Sequence, residues 1–269
     1  MIIEKTADLV RGLYGEKIKD IKIERIIIGI FFTGVKLSDE SGGVAYTPIA
    51  DLHGIGCCPA MAAELPTLVP LKGMSVHDVL KQPGWSMLSD LVQLVVMNAL
   101  SSRFITPSRY KIIYDANALD LIDLRSAGKI GMVGAFIPFL KQFKMIPEID
   151  LSVIEQKKET LKPDEIKFYV PADKARDVLP ACDTVIITGA AIANRSIDEL
   201  LAFTRPDSHV IVTGPTASML PDVLFENNVN TVSGVHVTDA DLALDMLAEG
   251  AGAYHLFGTC IRKINVLRG

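Results

Sequence analysis

The stretch that decides the fold is Gly128-Lys129-Ile130-Gly131-Met132-Val133-Gly134. It is a short apolar run bounded by glycines, the pattern of a buried strand entering a tight turn. Similar runs follow at 149–155, 166–170, 183–188, 209–213 and 231–237. Helix candidates separate them, at 135–143, 174–179, 197–203, 221–227 and 239–249. Two of these carry start signals: Ser196 with Glu199, and Thr238 with Asp241. Gly250 suits the end of the last one. Strands alternating with helices imply a parallel sheet covered by helices, hence a Rossmann-like α/β unit.

Upstream the pattern differs. Residues 5–14 read as a helix, and 21–35 are dense in Ile, Phe and Val. Ser41-Gly42-Gly43 is a turn signal, and 44–49 read as a returning strand of an antiparallel meander. Helical pieces at 60–68, 76–80 and 86–103 are broken by Pro66, Pro70, Gly73, Pro83 and Gly84. On the 86–103 wheel, Ser86, Ser89, Asp90 and Gln93 form one polar stripe, while Asn98 falls toward the apolar face. That amide needs a partner, either in a neighbouring loop or in a ligand. Thr106-Pro107-Ser108 marks a boundary, giving a small α+β unit at 1–107 and the Rossmann-like unit at 108–269.

Composition limits the function classes. The chain has 269 residues and a formal charge of −5, with 49% hydrophobic and 22% charged residues. No basic stretch suggests a nucleic-acid partner. The 26–32 apolar run has far fewer than the ~18 residues a membrane helix needs. The N-terminus lacks a signal-peptide layout, so a cytoplasmic protein is expected. Its four cysteines, Cys57, Cys58, Cys182 and Cys260, are expected to be reduced.

In an open α/β sheet, ligands bind beyond the carboxyl ends of the strands. That rule selects Gly134 and Phe136 after the first strand, Glu155 after the second, Thr188, Gly189 and Asn194 after the fourth, and Gly214 and Pro215 after the fifth. The glycines serve as tight turns or as open backbone N–H groups facing a ligand. Phe136 is a stacking surface or a core residue. Asn98 joins the set as the polar residue on the apolar helix face. NAD(P) is disfavoured: in G-x-G-x-x-G the second glycine admits the pyrophosphate, and Phe136 stands there. Glu155 does sit where a ribose-binding acid is expected. No P-loop, G-x-S-x-G elbow or H-E-x-x-H is present. His53, Cys57 and Cys58 form the one cluster with soft-metal chemistry, although adjacent cysteines point in different directions. His236 and Asp239 follow the sixth strand.

Several stretches together resemble the family described as "putative heavy-metal chelation". They are Met132-Val133-Gly134-Ala135-Phe136, Val153-Ile154-Glu155, and Asp183-Thr184-Val185-Ile186-Ile187-Thr188-Gly189 with Asn194. Gly214-Pro215, Ser233-Gly234-Val235-His236-Val237 and Asn98-Ala99 extend the likeness over most of the chain. The resemblance implies an enolase N-terminal-like domain joined to a Rossmann-like domain. It implies a site between them for a metal or a metal-chelating small molecule, such as a pterin-, flavin- or siderophore-like compound. A likeness to Rossmann methyltransferases is also implied, although the glycine loop that many of these use for S-adenosylmethionine is absent. Ala190-Ala191 and Arg195 depart from the family's more polar Thr-Gly…Asn stretch.

Overall fold

A computed structural model of the chain describes residues 1–48, 70–81, 87–124 and 126–269. His53, Cys57, Cys58 and the expected 60–68 helix lie outside them. The fold is mixed α/β, with a small antiparallel sheet and a larger, mostly parallel one.

The small sheet is the meander β1 (Ile23–Ile28), β2 (Phe32–Leu37) and β3 (Gly42–Tyr46). β2 is buried along nearly its whole length because helices cover both faces. The Met87–Ser101 helix lies on one face, so close that Gly43 admits no side chain. A methyl there would sit 2.6 Å from Ala99 N and nearer still to Val95 O. The Ala240–Ala248 helix lies on the other face, with Leu244 and Leu247 over Gly34.

The large sheet has the order β4-β11-β10-β9-β8-β5-β6-β7. Its strands are β4 (Lys111–Tyr114), β5 (Ile130–Val133), β6 (Leu151–Glu155), β7 (Tyr169–Pro171), β8 (Thr184–Thr188), β9 (His209–Thr213), β10 (Val229–Val237) and β11 (Ile261–Leu267). From β5 the chain winds one way through β6 and β7, then returns to β8 on the other side of β5. This reversal places a topological switch point between β5 and β8.

Each central strand alternates between two cores. Val185, Ile187, Val210 and Val212 face a core built with the Ile2–Tyr14 and Met87–Ser101 helices. Met132, Val153, Ile186 and Ile211 face the opposite core, with Phe139, Leu140 and Phe143 of the Ile137–Phe143 helix. Burial on both faces explains why these strands read as continuous apolar runs.

Four details differ from the sequence expectations. The third parallel strand is Tyr169–Pro171, because residues Ile166–Phe168 form a 3₁₀ turn. The Ala240–Ala248 helix is capped by Asp239, which accepts from Leu242 N at 3.0 Å, and not by Thr238. Ser196 makes no side-chain cap bond; its backbone N–H and hydroxyl both donate to Asn194 Oδ1. β4 and β11 carry no strong alternation and went unforeseen; antiparallel pairing with β10 brings β11 into the sheet.

Candidate functional site

A cavity of about 840 Å³ opens over the carboxyl ends of β5, β6, β8 and β9 and against the middle of β10. That volume is in the range of small-molecule sites. Among the described residues, seven aromatic side chains line it: Phe32, Tyr46, Phe136, Phe139, Phe203, Tyr254 and Phe257. Phe32 and Tyr46 come from the small sheet, where they meet edge to face at 6.1 Å.

Eight of the nine ligand candidates from the sequence reach this wall: Gly134, Phe136, Glu155, Thr188, Gly189, Asn194, Gly214 and Pro215. Their roles are more structural than the strand-end rule implies. The N–H groups of Gly134, Gly189 and Gly214 are not open. They donate to Ile154 O at 2.9 Å, Thr213 O at 2.7 Å and Ser233 O at 2.9 Å, extending the ladder beyond each strand. Gly134 at φ +88 and Gly214 at φ +126 occupy conformations that disfavour a side chain. Gly189 is required by space, since a Cβ would lie 3.1 Å from Ala217 N.

Phe136 is half-buried and stacks on Phe139, with centroids 5.0 Å apart. It precedes the Ile137–Phe143 helix, and Pro138 fixes that helix start. Glu155 braces two loops. One oxygen accepts from Ala135 N at 3.0 Å and the other from Gln156 N at 2.7 Å. A carboxylate held this way fixes the β5 turn before any ligand arrives.

Asn98 does not line the cavity. It is 2% exposed and donates to Val44 O at 2.9 Å and Thr216 O at 3.2 Å. It ties β3 to the turn after β9, and Thr216 Oγ1 repeats the tie by accepting from Tyr46 N at 2.9 Å. Its own Oδ1 has no partner among the described residues. Next to Asn194, Arg195 points away from the cavity. It forms a bidentate pair with Asp90 at 2.8 Å and a third bond to Glu4 at 2.6 Å. The Ile2–Tyr14 and Met87–Ser101 helices are thereby fastened to the loop that presents Asn194.

Sequence reasoning missed Ser233, Asn265 and Lys263 at the β10–β11 end of the wall. Lys263 donates to Asn117 Oδ1 at 2.7 Å and lies over the Phe257 ring. One signal did exist for Ser233: β8, β9 and β10 each reach the pair Thr-Gly or Ser-Gly at this level. His236 and Asp239 are exposed and lie off the cavity. Among the described residues, no group of three His, Cys, Asp or Glu side chains is placed to hold a metal ion. Cys182 and Cys260 are buried and apart from the cavity, and burial pushes the Cys182 thiol up to about 11. No described helix is long and apolar enough to cross a membrane.

Two family models match the chain, both described as putative heavy-metal chelation. One covers residues 117–266, more than half the chain, and the other residues 12–101. The chain belongs to the putative heavy-metal chelation family. Within that family's fold it is similar to a protein of unknown function from Pyrococcus horikoshii, with a TM-score of 0.80 at 18% identity over 100% of both chains. A second crystal structure, from Desulfitobacterium hafniense DCB-2 and also of unknown function, has a TM-score of 0.72 at 19% identity, covering 97% of this chain and 100% of that one. Both belong to DUF364, the name of the model matching residues 117–266. An uncharacterized protein of Methanocaldococcus jannaschii is 24% identical over 91% of this chain and 90% of its own length. At these identities the likeness establishes the shared fold.

Proposed function

We propose that this protein binds a flat organic ligand, one that itself chelates metal, in the cavity at the carboxyl edge of the large sheet. The observation that carries this reading is the donor set of the wall. It offers aromatic faces, hydroxyls, amides, the carboxylates of Glu155, Asp173 and Glu199 and the cations of Lys157, Arg176 and Lys263, and among its described residues there is no thiol, imidazole or thioether. Soft metals need those donors. A heavy metal would therefore enter this site as an organic chelate of the pterin, flavin or siderophore kind, held through its organic part.

We further read the chain as two units, 1–107 and 108–269, with the cavity in the cleft between them. Two facts support this: the small sheet ends at Tyr46, and the large sheet begins at Lys111. Phe32 and Tyr46 then reach the cavity from the first unit. The braced Glu155 and the missing second glycine both count against NAD(P) and S-adenosylmethionine.

Native mass spectrometry with elemental analysis of freshly purified protein tests the proposal. An organic mass, with any metal in proportion to it, is the expected result. A stoichiometric metal without an organic mass overturns it. Loss of that metal in a Cys57→Ser/Cys58→Ser variant would then assign binding to His53, Cys57 and Cys58.

A further inference from the structure

β8, β9 and β10 each reach the cavity with a hydroxyl residue followed by glycine: Thr188-Gly189, Thr213-Gly214 and Ser233-Gly234. The register aligns them. Thr188 is paired with Thr213, Thr213 with Ser233, and Ser233 with Asn265 of β11. Alternation places Thr188 and Thr213 on the same face as Ile186 and Ile211, where the sheet otherwise carries apolar side chains. The core therefore gives way to a polar row where it meets the cavity.

The hydrogen bonds around this row fix its polarity. Asn265 is 1% exposed, and its Nδ2 donates to Ala116 O at 3.0 Å and Ile113 O at 3.3 Å. Its Oδ1 must then face Ser233, whose hydroxyl donates to it at 2.6 Å. Ser233 therefore has only lone pairs left to offer. At the other end Thr188 Oγ1 accepts from Ala190 N at 3.2 Å, and its proton has no acceptor among the described residues. Between them, Thr213 is 7% exposed, and its hydroxyl has no partner among the described residues.

We propose that Thr188, Thr213 and Ser233 form a rail for the polar edge of a planar, amide-bearing fused heteroaromatic compound. This inference rests on the cavity being an organic ligand site. The ligand presents an acceptor, such as a ring carbonyl, to Thr188 and a ring N–H to Ser233, and Thr213 serves either. Adjacent strands lie ~4.8 Å apart, so the rail spans roughly 10 Å between its end strands. It matches the long edge of a two- or three-ring system. A carboxylate or phosphate is not suited to it, because the Ser233 end offers no proton.

Two planar three-ring probes test the rail. Lumichrome carries a cyclic imide edge, and phenazine carries none. Binding of each is measured by titration calorimetry to the wild type, Thr213→Val and Thr213→Ser. Valine is close in shape, and the Thr213 hydroxyl has no bond to lose among the described residues, so the variant should fold. Wild type should bind lumichrome at least ~10-fold more tightly than phenazine. Most of that advantage should vanish in Thr213→Val and return in Thr213→Ser, with phenazine affinity constant throughout. Equal binding of the two probes to wild type, or an advantage that survives in Thr213→Val, overturns the rail and leaves the cavity reading standing. If neither probe binds, the cavity does not take flat organic ligands and both readings fall.

Discussion

Arg195 shows how one residue couples the helical layers to the site. Its backbone sits at φ +62, a conformation that costs free energy in any residue with a Cβ. The guanidinium fork offsets that cost by gripping Asp90 and Glu4. Asp90 is only 14% exposed, so removing its partner leaves a carboxylate short of water. Arg195→Ala should cost about 1–3 kcal/mol in chemical denaturation, and Arg195→Lys should restore little of it because lysine lacks the bidentate fork. A smaller test concerns helix capping. Asp239→Ala should cost about 1 kcal/mol, whereas Thr238→Ala should be near neutral, read by the same denaturation curves. At this scale the sequence misleads: S/T-x-x-D/E spacing marks a start, but backbone dihedrals choose which neighbour caps it. Nothing in the string predicts that Arg195 adopts a left-handed conformation or reaches a helix more than a hundred positions away.

At the scale of elements, close approach sets the tolerances. Gly43→Ala forces a methyl against the backbone of the Met87–Ser101 helix, which cannot step aside as a flexible side chain would. The variant should lose at least about 2 kcal/mol or fail to accumulate as folded protein, measured by thermal melting. The loop before β7 adds a pH dependence. Burial pushes the Glu165 carboxyl up, but Lys144 at 2.8 Å and the Lys162 amide at 3.0 Å outweigh it and hold it below the usual range. A depressed folded value means Glu165 stabilises the protein above the unfolded carboxylate pKa of ~4.3, and that contribution is lost as pH falls through the folded value. Glu165→Gln should therefore lower the melting temperature at pH 6 and converge with the wild type toward pH 3. Equal differences at both pH values would remove this role. The buried strands were legible in sequence as apolar runs ending in Gly. β4 and β11 were not, because edge and hairpin pairing depends on partners distant in the chain.

Across the whole molecule, the cavity is assembled from distant parts, with Phe32 and Tyr46 from one sheet and Asn265 from the far side of the other. The strand-end rule found eight of its wall residues because topology alone fixes where such strands terminate. It could not find Asn265 or the two aromatics, which arrive through pairing and packing. Its place on the apolar helix face put Asn98 among the candidate ligand contacts, and in the fold that amide pins two backbones together behind the wall. Asn98→Ala removes both bonds but also the unpartnered Oδ1. Its stability loss should therefore stay within about 1–3 kcal/mol, while any affinity for a cavity ligand drops with the loosened Thr216 turn. Unchanged affinity in a folded variant would confine Asn98 to stability alone.

The sheet order also bears on the chain's synthesis. β4 leaves the ribosome early, yet its partner in the sheet is β11, with Asn265 and Ile113 separated by 152 residues. Until β11 emerges, β4 has no ladder to join and β10 presents a bare edge. Nascent chains stalled before β11 should thus be the sticky species, prone to edge-to-edge pairing. A truncation series ending between β10 and β11 would aggregate or recruit chaperones, and translation of β11 would end that exposure by inserting one strand between two that wait for it.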